Sequence, residues 1–443
     1  LKDGLDRVSL LKVWALAWPI ILSNVTTPLL GIVDTAVVGR LPGPQYIGAV
    51  AVGAVAFTSV FWLFGFLRMG TSGFAAQANG ADERNEVLAV LARAVLLAIA
   101  LGLIMVLLRQ PIWSLAAYFL STSERVSELA GQYFLIRSWT APAALTNYAV
   151  LGWLIGMQRT RMALLLQVWL NGVNIILDLV FVVGLDMGVP GVAWATLIGE
   201  YTAAILGLGL AWRIIRPSRG QWRDARIADL ARLRAFFSAN LDIMIRTASL
   251  IASFFVFTRI GAQFGDLTLA ANAVLMQLVH FMAFGLDGFA FAAEALVGTA
   301  LGARRLPDLR RAVIASTVWA FVIALGFSLV YALAGTSIIA LITTLPEVRA
   351  AAEAYLPWVM LYPLLAVWCF QLDGIFIGAT QTAEMRNSMV LAMAGFMTAA
   401  WFLPGIWGNH GLWLSLNILS VLRFTGLAAY YRRIERRATI PAA

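Results

Sequence analysis

Apolar stretches of about 20 residues recur along the whole chain, each long enough to cross a bilayer as a helix. They rule out a soluble fold, because 61% of the 443 residues are hydrophobic and only 12% are charged. The first stretch, Trp14 to Val38, holds two prolines, a polar SNVTT patch and then a carboxylate, Asp34, between Val33 and Thr35. An isolated charge at the centre of a spanning helix costs about 2.5–3.5 kcal/mol on insertion scales. Such a side chain must face protein or water, so the rest of the chain has to supply what Asp34 faces.

The first run is too long for a signal-peptide core, lacks a small-residue cleavage site and is followed by further spans, so it is expected to stay in the protein. The chain begins at Leu1 rather than Met, so a few initial residues are expected to precede it. Six spans end near Ile215, and six more run from Leu241 to Tyr431. The arginines of Arg213 to Arg234 alternate with apolar residues at helical spacing, which suits an amphipathic segment lying at the membrane surface. The reading is therefore an N-terminal six-helix lobe over 1–212, a basic cytoplasmic linker over 213–236, a C-terminal six-helix lobe over 237–431 and a basic cytoplasmic tail over 432–443.

The net charge of +9 belongs to loops rather than to a nucleic-acid patch, because the basic residues punctuate apolar segments. Lys2, Arg7, Lys12, Arg84, Arg159, Arg161, the linker arginines, Arg304 to Arg311 and the tail fall on one side if the spans alternate. Both termini are expected to be cytoplasmic, with the protein in the inner cell membrane. The lone Cys369 sits in an apolar run, so no disulfide framework or thiolate metal site is expected.

The halves repeat in parallel at an offset of about 222 residues. GWLIGMQRT (Gly152 to Thr160) matches GIFIGATQT (Gly374 to Thr382), Gly39 matches Gly261, and Gly80-Ala81 matches Gly302-Ala303. Six spans per half keep the repeats in one orientation. The expected fold is an all-α polytopic membrane protein of twelve transmembrane helices. These form two six-helix bundles related by a pseudo-two-fold axis along the membrane normal, with a central cavity.

Within the first half, Asn174 and Asp178 at i and i+4 share a face of span 5, and Thr196 lies about one turn into span 6. Counted from the helix ends, these three and Asp34 all fall in the outer half of one bundle. Two carboxylates with an amide and a hydroxyl can offer oxygen ligands to Na⁺, or share one proton. The alternative is that they only fix helix packing through hydrogen bonds. In the second half, Asp242 and Arg246 at i, i+4 can neutralise each other or serve as coupling or substrate-facing groups, and Asp373 sits deep in span 10 as a second titrating or substrate-facing candidate. Asp287 and Glu294 lie near the cytoplasmic end of span 8, in reach of the interface, and His280 reads as a packing residue.

No phosphate loop supports direct ATP drive, and no H-E-x-x-H, G-x-S-x-G or Cys/His cluster supports a membrane enzyme. No cofactor or metal beyond a coupling H⁺ or Na⁺ is expected. PLLGIVDTAVVGRL in span 1, NLDIMIRT in span 7 and DGIFIGATQTAEMRNSM after span 10 carry a resemblance over nearly the whole chain. The chain resembles the multidrug and toxic compound extrusion (MATE) transporters of the DinF branch. The resemblance implies export of organic, usually cationic or amphiphilic, compounds in exchange for H⁺ or Na⁺. It places the family's cation site on Asp34, Asn174, Asp178 and Thr196, and the bend of span 1 on Pro19. Asp373, Asp242 and Arg246 are not assigned by the resemblance and stand on their placement alone. The expected partners are small organic molecules and the bilayer, with no nucleic acid and a monomeric chain. A lipid or lipid-linked precursor flippase is the rival reading; it would want a cationic cavity, whereas the embedded groups read as chiefly acidic. A membrane enzyme or a non-transporting assembly subunit would need no duplicated halves.

Overall fold

A backbone crossing hydrocarbon must satisfy its own hydrogen bonds, which leaves a chain of this composition the helix. The computed structural model describes residues 9–41, 43–120, 123–216 and 227–439, and every regular element among them is helical. Lys2, Arg7 and residues 217–226 of the linker lie outside the described residues. Nine of the described helical segments are long and apolar enough to cross a membrane. In order the α-helices run α1 (Leu10–Val38), α2 (Pro44–Leu63), α3 (Phe66–Gly80), α4 (Arg84–Leu107), α5 (Arg109–Leu120), α6 (Glu124–Arg137) and α7 (Ala141–Gly156). There follow α8 (Thr160–Asp178), α9 (Gly188–Ile215), α10 (Leu230–Gln263), α11 (Asp266–Gly302), α12 (Leu306–Ile342), α13 (Pro346–Gly378) and α14 (Thr382–Thr439).

Several spans are less regular than hydropathy suggests. The fourth is broken at Ser138–Thr140 into α6 and α7, just before Pro142, which cannot donate to the preceding turn and clashes with it. The second is broken between α2 and α3 at Phe64–Gly65, and the short helix α5 has no counterpart in the sequence reading. The fifth ends in a π-helical turn, Leu179–Gly184, immediately after Asp178. α14 is interrupted at Trp407 and Gly408, where Gly408 takes φ +56°, between the eleventh and twelfth sequence-read spans.

At the two ends of the linker range the described residues are helical: Arg213 belongs to the last turn of α9, and Leu230 already begins α10. Arg232 on that first turn pairs with Glu83 at 3.3 Å and with Glu86, and Arg93 joins Glu86 at 2.7 Å. The basic tail continues α14 to Thr439 and buries Ile434, while Glu435 accepts from Arg310 at 2.9 and 3.0 Å. Its alternating apolar residues give it a face to bury, which charge counting alone overlooks.

The chain forms two compact units, Leu1–Ile21 with Gly80–Asp82 and Phe237–Ala443, and Leu22–Asn79 with Glu83–Phe236. Helix α1 thus changes unit between Ile21 and Leu22, two residues beyond the buried Pro19. Its first turns hold to their unit through aromatic contacts, with Trp14 5.9 Å from Phe289 and 5.0 Å from Trp319. In the second unit α4 packs on α7, α2 on α6 and α8 on α9; in the first, α11, α12 and α14 pack on α13.

The duplication is written into the backbone. Left-handed residues recur at the 222-residue offset as Asp82 and Arg304, Gln158 and Thr380, Asp186 and Gly408, and Gly43 and Gly265. The helix-ending bonds recur as well: Arg159 N–H donates to Leu154 at 2.8 Å, and Gln381 N–H to Phe376 at 3.0 Å. A Cβ on Gly152 would collide with the Arg68 carbonyl, and one on Gly374 with the Ala290 carbonyl. The same holds for Gly156 against Ser72 and Gly378 against Glu294. These glycines let two backbones approach, the usual device where lipid offers no hydrophobic drive for helix association. Glu294, expected near the interface, is fully buried there.

Candidate functional site

Asp34 stands one turn from the end of α1, Asp178 is the last residue of α8, Asn174 lies one turn before it, and Thr196 is on α9. α8 packs on α9, which brings the last three together, and Asp34 joins them. The carboxyl groups of Asp34 and Asp178 lie within hydrogen-bonding reach of each other. Asp178 and Asn174 are fully buried, Thr196 is 3% exposed and Asp34 8%. The orientation of the Asn174 amide that satisfies its neighbours points its nitrogen at Asp178 Oδ2, 3.0 Å away. Its oxygen then accepts from the Thr196 N–H at 3.1 Å and lies 3.0 Å from Thr196 Oγ1. Asp34 Oδ1 and Asp178 Oδ1 are buried without a hydrogen-bond donor.

Two like charges about 4 Å apart repel by about 4 kcal/mol at an effective dielectric near 20. Carboxyl groups in contact can share one proton, or one bound cation, between them. The π-helical turn after Asp178 breaks the regular ladder at this point, a feature common where a helix carries function.

Two charged neighbours escaped the sequence reading. Arg137, at the end of α6, lies within electrostatic range of Asp34, Asp178 and Glu200. It donates to the Tyr133 hydroxyl, and its guanidinium sits 4.5 Å over the Phe57 ring. Glu200, one turn beyond Thr196 on α9, accepts from Asn147 of α7 at 2.7 Å. The acids are thus three, with one arginine among them. Arg137 and Glu200 each stand alone in an apolar run, QYFLIRSW and TLIGEYTA, which is the signal that singled out Asp34.

The second-half candidates are arranged differently from the sequence expectation. Asp242 and Arg246 do not neutralise each other. Asp242 accepts from Arg386 at 2.5 Å and from Thr382 at 3.0 Å, while Arg246 pairs with Asp373. Arg423 of α14 also reaches Asp373, at 2.6 Å on the same Oδ2 atom that Arg246 uses. Helical spacing allowed the i, i+4 pair, but α13 and α14 supply better-placed partners. Arginines accompany the embedded acids: Arg93, Arg246 and Arg423 are buried, as are Asp34, Asp178, Asp242, Glu294 and Asp373. His280 packs edge-on to Phe254, 6.3 Å between ring centres. Among the described residues, no group of three or more His, Cys, Asp or Glu side chains could hold a metal ion.

The MatE family pattern matches residues 19–180 and 243–402, once in each half of the repeat. The chain is 45% identical to the DNA damage-inducible protein F of Escherichia coli K12, over 96% of this chain and 93% of that protein. The fold is similar to a crystal structure of MATE in the bent conformation, with TM-score 0.87, 21% identity and coverage of 96% and 95% of the two chains. It is also similar to the Vibrio cholerae MATE transporter VcmN in the bent form, with TM-score 0.83, 20% identity and 97% of each chain covered.

Proposed function

Because the chain belongs to the MatE family of membrane transporters, we propose that it is a secondary antiporter exporting organic, mostly cationic or amphiphilic, compounds in exchange for H⁺ or Na⁺. The observation that carries this reading is the buried contact of Asp34 with Asp178, closed by Asn174 and Thr196. A proton or cation taken up there removes the repulsion within the pair. An ion shifts a conformational equilibrium only by its differential affinity for the two states, so the pair must be offered to opposite sides in turn. Pro19 is the hinge of this reading, because its missing N–H leaves the Ala15 carbonyl of α1 without a helical partner. In this reading the spans number twelve in two lobes, 1–212 and 237–431. The chain acts as a monomer in the inner membrane with both termini cytoplasmic.

The test is efflux of a fluorescent cationic dye from proteoliposomes, under an imposed pH gradient and an imposed Na⁺ gradient in separate runs. One of the two should drive efflux by the native protein, and Asp34→Asn should lower it by about tenfold or more at unchanged protein level. Full activity of that variant would overturn the coupling role of the pair.

A further inference from the structure

The acids of the N-terminal repeat have a counterpart of opposite sign in the C-terminal repeat. Arg246 of α10 and Arg423 of α14 both donate to a single atom, Oδ2 of Asp373 on α13. Each guanidinium carries five N–H donors, and each spends one bond on that oxygen. The side chains are 7% exposed for both arginines and 12% for Asp373, so the group is enclosed but not sealed. Tyr362, itself buried, lies within electrostatic range of Arg423. The nearby ion pair of Asp242 with Arg386 balances itself and has Thr382 as its further partner. The Arg246–Asp373–Arg423 group therefore holds one positive charge in excess, with donors outnumbering acceptors.

The shared scaffold does not require this cluster. At the 222-residue offset the positions of Arg246, Asp373 and Arg423 are Asn24, Leu151 and Tyr201, and those of Asp34 and Asp178 are Val256 and Ala400. Each half carries its own charge on a common backbone. Their depths differ too. Asp34 lies four residues before the end of α1, whereas Asp373 lies five residues, about 7 Å, before the end of α13. That end leads into the turn at Thr380, the repeat partner of the turn at Gln158 beside Arg159 and Arg161. In the proposed orientation the acids lie toward the outside and the arginines toward the cytoplasm, where an exported compound enters.

We propose that Arg246 and Arg423 receive the anionic head group of an amphiphilic substrate, a carboxylate, sulfonate or phosphate, so that the protein exports anionic amphiphiles as well as cations. Paired guanidiniums match the forked oxygens of such groups and bind them by charge-assisted hydrogen bonds. The proposal rests on the antiporter reading and extends its substrate class.

The experiment uses the full chain in proteoliposomes with two matched probes, dansyl-undecanoate and its dansyl-undecyl-trimethylammonium analogue. Native protein should export both under the driving gradient. Arg246→Gln and Arg423→Gln should each lower the ratio of carboxylate to trimethylammonium export by about tenfold, as loss of a charge-assisted contact predicts. Because an arginine variant can fail to fold, Asp373→Asn is tested beside them. It keeps both arginines and adds one net positive charge, so its affinity for dansyl-undecanoate in detergent should rise, which a purely structural cluster would not produce. An unchanged ratio in both arginine variants, with Asp373→Asn binding no more tightly, overturns the inference while trimethylammonium export leaves the antiporter reading standing. Export of neither probe by native protein overturns both. Competition arms separate the sources of the anion. Protection by inorganic phosphate alone, or by phosphatidylglycerol vesicles and not phosphatidylcholine ones, without carboxylate export, would assign the arginines to a bound ion or lipid and overturn the substrate role.

Discussion

Asp34 and Asp178 come from helices far apart in the chain, yet their carboxyl groups meet in a buried contact that neither could make alone. Groups that act as one unit give non-additive losses when removed. Asp178→Asn should therefore lower gradient-driven export by about 5–150-fold, the range of typical coupling free energies. The double variant with Asp34→Asn should be no worse than the poorer single one. Initial rates in proteoliposomes decide it, and losses that multiply would mean two independent sites.

Arg137 lies within electrostatic range of Asp34 and Asp178, so in the proposed mechanism its charge opposes cation uptake there. Removing it with Arg137→Gln should strengthen cation retention, so the half-saturating concentration of the coupling cation falls by about fivefold or more. Maximal export should fall as well, because release becomes the slow step. Arg137→Lys keeps the charge and should restore the native half-saturation. Rates measured against cation concentration check this; an unchanged half-saturation in Arg137→Gln would remove Arg137 from the site.

Asn272 of α11 and Asn409 of α14 exchange two amide hydrogen bonds of 2.8 Å, and Trp413 Nε1 donates to Asn272 Oδ1 at 2.9 Å. All three residues are buried, beside the break of α14 at Gly408. Asn272→Ala should destabilise the protein by about 1–3 kcal/mol for each group left without a partner. Adding Asn409→Ala should recover part of that loss, because it removes one of the stranded groups. Thermal unfolding in detergent reads both, and a stable single variant would show that water replaces the lost partner.

Much of this arrangement was legible beforehand, for physical reasons that also explain the gaps. Hydropathy has only to find apolar length, so the recurring spans and the repeat were readable, and a charge in an apolar run announces itself, as Asp34 did. Depth along each helix then grouped Asp34, Asn174, Asp178 and Thr196, because helical rise converts residue number into height. Azimuth is not so convertible, and pairing depends on it. Asp242 and Arg246 look like partners along α10, but they face Arg386 and Asp373 instead. Arg137, Glu200 and Arg423 carry the same apolar-run signal as Asp34. The breaks near Pro142 and after Asp178 depend on packing and leave only local hints.

The duplicated backbone makes a prediction of its own. Gly152 and Gly374 occupy equivalent positions, and at each an added Cβ would meet a carbonyl of a neighbouring helix, Arg68 in one half and Ala290 in the other. Backbone cannot swing aside as a flexible side chain can, so the helices must separate. Gly152→Ala and Gly374→Ala should each destabilise by about 1–3 kcal/mol, the usual cost of overpacking. The two losses should be similar in size, since the contact geometry is repeated. Gly326 in α12 is the control, because nothing lies within 4 Å of its added Cβ. Gly326→Ala should be neutral or stabilising by up to about 1 kcal/mol, through the higher helix propensity of alanine. Thermal unfolding of the three purified variants checks the set. If Gly374→Ala unfolds with Gly326→Ala rather than with Gly152→Ala, the close approach of α11 and α13 is not what that glycine provides.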